Sequence, residues 1–140
     1  MPPAGYSGTP LIEKLGIRAG DTIALINAPA DYDELIGPLP EGARVRARLS
    51  ADTRFIHLFV RDRATLMREL PRAKRALAMD GTLWISWPKK AAGIPTDVTE
   101  TIVRETGLET GLVDVKICAV DAIWSGLKFV YRLRDRQHHA

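Results

Sequence analysis

The chain has one cysteine, Cys118, among 140 residues, so no internal disulfide can brace it. Cys118 lies in an apolar strand pattern, where a buried structural thiol is expected rather than a reactive one. No apolar run approaches the roughly 18–20 residues that a membrane-spanning helix needs. The opening Met1-Pro2-Pro3-Ala4-Gly5-Tyr6 has neither the basic nor the apolar region of a secretory leader, so a cytoplasmic protein with no membrane partner is expected. His138 and His139 have no cysteine or carboxylate at ligand spacing, and no metal site is expected. Internal repeats are absent. The basic residues outnumber the acidic ones by 20 to 17 but are spread along the chain without a nucleic-acid-binding motif. Nucleic acid is therefore not expected as a partner, and the net charge of +3 points only weakly to small anions.

What is present reads as one globular α/β unit. Residues 1–8 are Pro/Gly-rich and form an arm, 9–134 a single Rossmann-like domain, and 135–140 a frayed polar tail. Thr9-Pro10 looks like an N-cap followed by proline at the first helical position, with Gly16 ending that helix. Thr22 to Asn27 and Phe55 to Val60 are near-continuous apolar runs, as in parallel strands covered on both faces. Asp31 to Gly42 holds at most one helical turn. Arg44 to Leu49 alternates strictly, with Arg44, Arg46 and Arg48 on one face, which predicts a half-exposed strand near a sheet edge. A helix is expected from about Asp62 to Met79, kinked or broken at Pro71, with Asp80-Gly81 leading into a strand over 82–87. Asp97 and Glu100 form a capping-box pattern for a second helix that Gly107 closes. Strands at about 112–120 and 126–133 complete the pattern as an antiparallel hairpin. This order predicts a three-layer Rossmann-like sandwich with a mostly parallel sheet.

Leu11 to Leu25 resembles the lead helix and first strand of a class I SAM-dependent methyltransferase, and the second half is similar in layout. The resemblance implies a reduced form of that fold, because only Ser50 to Arg54 separates the second and third strands. One helix–strand unit is missing. It also implies loss of the cofactor: Asn27-Ala28-Pro29-Ala30 stands where the glycine-rich loop belongs, and Leu49-Ser50-Ala51 stands where an acidic residue would hold the ribose. SAM is not expected to bind. Gly5-Tyr6-Ser7-Gly8-Thr9-Pro10-Leu11, Ser86-Trp87-Pro88-Lys89-Lys90 and Trp124-Ser125-Gly126 together resemble a family of small bacterial proteins of unknown function. That likeness implies no activity.

Ligands of open α/β sheets sit at the carboxyl ends of the strands, beside helix N-termini. The candidate binding residues there are Trp87, Lys89, Lys90, Thr96 and Asp97, joined by Asn27, Arg61, Trp124 and Ser125. The lysines supply charge and Trp87 a stacking surface; no catalytic residue is assigned. The bland reading is a fixed, solvated turn with Trp87 packed beneath it. His57, in mid-strand, reads as a satisfied core histidine, and Asp31, Asp33 and Glu34 as a solvated helix. Ser7 and Ser125 have no evident partner base. The leading expectation is a non-catalytic protein binding a small anionic or nucleotide-like ligand. Alternatives are an interaction module or homodimer using the arginine strand and the arm, and a divergent SAM-dependent methyltransferase.

Overall fold

A computed structural model describes residues 10–138; the arm at 1–8 and the Thr9 cap lie outside them. Helix α1 (Leu11–Leu15) buries Leu11 and Leu15 and ends at Gly16, which adopts the left-handed conformation that glycine tolerates best. Then come β1 (Thr22–Ile26), α2 (Tyr32–Ile36), β2 (Arg44–Arg46) and β3 (Thr53–Phe59). The second half runs α3 (Arg63–Ala76), β4 (Leu77–Pro88), α4 (Glu100–Glu109), β5 (Leu112–Ala119), β6 (Trp124–Tyr131) and α5 (Leu133–His138).

The six strands form one sheet in the order β2-β1-β3-β4-β6-β5. The first four are parallel, and β6 is antiparallel to both of its neighbours. Alternation along each strand divides the core into two layers. Ile23, Phe55 and Trp84 pack with α1 and α2 on one face. Ala24, Ile56, Leu83 and Ile85 pack with α3 and α4 on the other. The Trp84 indole N–H donates to the Leu15 carbonyl at 2.9 Å, which clamps α1 to the sheet. The α/β sandwich expected from the sequence is what forms.

Several local expectations are corrected. Helix α3 is continuous through Pro71 and stops at Ala76, not Met79. Leu66, Leu70 and Ala73 carry its buried face, and Leu77 and Ala78 look like the next turn of it. Pairing of Leu77 with Thr53 draws them into β4 instead, so that strand runs straight through Asp80-Gly81. Strand β2 is only three residues long, and beyond it Leu49 turns back to pack on the α3/α4 core. The expected capping box is not made. Thr99 caps α4 by accepting from the Ile102 amide at 3.2 Å. Gly107 lies inside α4 rather than at its end, because that helix rests directly on Phe129: a Cβ there would fall 2.1 Å from the ring. Trp124 and Ser125 belong to β6, and residues 133–138 are helical rather than frayed.

Candidate functional site

The chain leaves β1 toward β2 on one side and later returns as β3 on the other. The carboxyl ends of β1 and β3 therefore flank the topological switch point, where open sheets place their ligands. Asn27 follows β1 with φ of 58°, a left-handed conformation that asparagine accepts more readily than most residues. Val60 to Asp62 connect β3 to α3. Between these segments lies a crevice of about 220 Å³, with Asn27, Arg61, Thr65 and Arg68 around it and Phe59 and Trp124 beneath.

The electrostatics of this crevice are one-sided. Its carboxylate, Asp62, is already committed: it caps α3 by accepting from the Thr65 amide at 2.7 Å. That hydrogen bonding, aided by Arg68, holds its carboxyl below the usual range. The Arg61 guanidinium lies 5.6 Å from the centroid of the Trp124 ring, which in turn meets Phe59 edge-to-face at 4.9 Å. Neither the Arg61 nor the Arg68 guanidinium has a hydrogen bond or ion pair with any described residue. Two free guanidiniums at a concave site suit phosphate or carboxylate oxygens.

A second cavity of about 410 Å³ lies between the end of β4 and the start of α4, lined by Trp87, Lys90, Thr96, Thr99 and Glu100. It is the larger of the two but the less suited to an anion. Its cation is one lysine, and Glu100 adds a carboxylate. A third cavity, of about 320 Å³, is at the amino edge, where Arg46 donates to Ser50 and Arg54 pairs with Asp80.

The candidate residues thus divide between two cavities. Asn27, Arg61 and Trp124 meet at the crevice; Trp87, Lys90 and Thr96 meet at the second cavity. Trp87 is only 5% exposed and packs in the α3/α4 core, so little of its ring is open for stacking. Lys89 and Ser125 line neither cavity; the Lys89 amide donates to the Ile123 carbonyl at 2.7 Å, and Ser125 pairs with Trp87 across the sheet. Thr96 and Asp97 stitch the two cavities together. Thr96 donates to the Arg61 carbonyl at 2.6 Å, and Asp97 accepts from the Arg63 amide at 2.8 Å. Thr65 and Arg68 were not among the expected residues. The one signal for them was their place in the first two turns of α3, the helix that follows the Arg61 loop.

Other titratable groups read as structure. His57 is fully buried, with Ser86 Oγ 2.7 Å from Nε2 and the Tyr32 hydroxyl 3.0 Å from Nδ1. Burial pushes its pKa down to about 3. The same burial, with Asp33 nearby, pushes the Tyr32 hydroxyl up. Serine, histidine and tyrosine here form a buried hydrogen-bonded chain. Cys118 is half-buried; burial raises its thiol pKa against the opposing pull of Lys14, Lys116 and Lys89. Among the described residues, no group of three or more His, Cys, Asp or Glu side chains is placed to hold a metal. Nor is any described helix long and apolar enough to cross a membrane.

Comparison with solved structures fixes the fold. The ribosomal protein L11 methylase of Lactobacillus delbrueckii subsp. bulgaricus matches 87% of this chain and 75% of its own, with a TM-score of 0.57 and 11% identity. Aeropyrum pernix fibrillarin, solved with natively bound S-adenosyl-L-methionine, matches 90% of this chain and 70% of its own at a TM-score of 0.53 and 14% identity. A SAM-dependent methyltransferase from Aquifex aeolicus matches 85% and 86%, with a TM-score of 0.50 and 15% identity. The fold is methyltransferase-like. At these identities the likeness concerns architecture alone. No family model and no curated protein matches the sequence.

Proposed function

We propose that this methyltransferase-like chain is a non-catalytic binding protein for a small anionic or nucleotide-like ligand, held in the crevice between β1 and β3. The observation that carries this reading is the pair of guanidiniums at the topological switch point, Arg61 and Arg68, which have no hydrogen bond or ion pair with any described residue. Arg61 and Arg68 bind the anionic group, the Asn27 amide adds a neutral donor at the rim, and the Trp124–Phe59 pair fixes the floor. The crevice, at about 220 Å³, falls below the roughly 300–1,000 Å³ of pockets that enclose drug-sized molecules, which favours a compact anion or one end of a larger ligand. The second cavity serves as an extension reached past Thr96.

A divergent SAM-dependent methyltransferase is the second reading, favoured by the fold of the neighbours. Two features weigh against it. Asn27, Ala28 and Pro29 carry Cβ atoms where close backbone approach to the cofactor needs glycine. The sulfonium of SAM would also face two guanidiniums of like charge.

Thermal unfolding against inorganic phosphate, nucleotides, acyl-CoA, SAM and S-adenosylhomocysteine separates the readings. A ligand at ~100 times its dissociation constant adds about 2.7 kcal/mol. The proposal expects stabilisation by a phosphate-bearing compound that disappears in Arg61→Gln/Arg68→Gln. Stabilisation by SAM that survives in this variant would replace it with the methyltransferase reading.

A further inference from the structure

We infer that α3 continues the crevice outward as a track for single-stranded nucleic acid, with the helix's outer arginines holding successive phosphates. Residues 61–76 hold six basic side chains (Arg61, Arg63, Arg68, Arg72, Lys74, Arg75) and two acidic ones (Asp62, Glu69). The segment's charge is thus 6 − 2, or +4, which exceeds the +3 of the whole chain. The basic residues, read at first as spread along the chain, are concentrated in this segment, and the helix gathers them further. Arg68, Arg72 and Arg75 follow an i, i+4, i+7 pattern on the exposed side of a continuous helix, and Arg61 lies in the loop just before the Asp62 cap. At 1.5 Å per residue, the helical part of the stripe, from Arg68 to Arg75, rises about 10 Å, and Arg61 continues it beyond the helix start.

Folding does not require this arrangement. Like charges at i, i+4 oppose a helix by roughly 0.2–0.5 kcal/mol per pair, and solvated faces ordinarily mix signs. Here both acids are already engaged: Asp62 caps the helix, and Glu69 accepts from Arg72 at 2.9 and 3.1 Å. Lys74 is likewise tied down, donating to the Thr110 carbonyl. The Arg68 and Arg75 guanidiniums have no hydrogen bond or ion pair with any described residue. Arginine presents a planar fork that matches phosphate oxygens. Met67 is the one large apolar side chain exposed on this helix, too little for insertion into a lipid surface. A stripe this narrow, ending in a crevice that admits one phosphorylated group, fits a single strand rather than a duplex. No nucleic-acid-binding motif accompanies these residues; the stripe is a feature of the helix.

This inference rests on the crevice reading at Arg61 and Arg68 and extends beyond it at Arg75. Binding of a labelled mixed-sequence single-stranded 15-mer, followed by fluorescence polarisation from 50 to 200 mM salt, tests it. Three phosphate contacts, at Arg61, Arg68 and Arg75, predict a slope of log K against log salt of about −2.1, Arg72 being held by Glu69. Arg75→Gln, exposed and outside the crevice, is expected to weaken binding for all sequences and to reduce the slope by roughly 0.7, while leaving stabilisation by inorganic phosphate intact. Arg44→Gln/Arg46→Gln/Arg48→Gln, of larger charge change but on β2 and the loop after it, is expected to bind as the wild type does. No binding at 50 mM salt, an unchanged slope in Arg75→Gln, or equal affinity for polyglutamate or anionic vesicles would each overturn the inference. Phosphate stabilisation lost in Arg61→Gln/Arg68→Gln would still stand for the crevice if the 15-mer failed to bind.

Discussion

His57 occupies the middle of β3 with both ring nitrogens satisfied and no exposure to solvent, and it gives the protein a definite response to acid. Burial lowers its pKa from the ordinary 6.5 to about 3, so between those values the unfolded chain binds a proton that the folded chain refuses. Stability is therefore complete above pH 6.5 and falls with pH below it, by roughly 1.4 kcal/mol per pH unit from this group. Denaturant unfolding from pH 7 to 4 should show that slope. His57→Gln should flatten it, even though its stability at pH 7 is lower. That His57 is a core residue was legible from the apolar residues on either side. Its partners were not, since Tyr32 and Ser86 are 25 and 29 residues away and meet it only when α2 packs on the sheet and β4 pairs with β3. Arg68 was illegible as a site residue for a similar reason: an arginine on a helix acquires a role only from what the helix end faces.

Element boundaries depended on tertiary partners more than on local pattern. The buried faces of α3 and the strands were readable from periodicity. The end of α3 was not, because Leu77 and Ala78 are equally at home in helix or strand, and pairing with β3 decides the matter. Asp97 has the right spacing to cap α4 but spends its carboxylate on α3, leaving the cap to Thr99. Thr99→Ala should cost about 1 kcal/mol, measured by chemical denaturation. Glycine at 107 is a packing requirement. Gly107→Ala gains helix propensity of about 1 kcal/mol but drives a methyl into the fully buried Phe129 ring. Overpacking costs of about 1–3 kcal/mol make net destabilisation the expected outcome. A raised midpoint in this variant would mean that α4 does not sit so close to β6.

At the scale of the molecule, the sheet order converts a scattered set of polar residues into two neighbouring cavities of different character. The sequence placed ligand contacts at the strands' carboxyl ends, and that edge does hold both cavities. Weight then moves from Lys89 and Lys90 to Arg61 and Arg68, because only the strand order shows which loops flank the switch point. The reduced layout was readable from the short Ser50–Arg54 connection. The division of the edge by the Thr96 and Asp97 cross-links was not, since those contacts span more than 30 residues. The most direct test of the crevice is an amide NMR titration of the ¹⁵N-labelled protein with a phosphate-bearing compound that stabilises it. The account predicts the largest shifts at Asn27, at Arg61 to Thr65 and at the Trp124 indole. Shifts confined to residues 88–100 would contradict it and move the ligand to the second cavity.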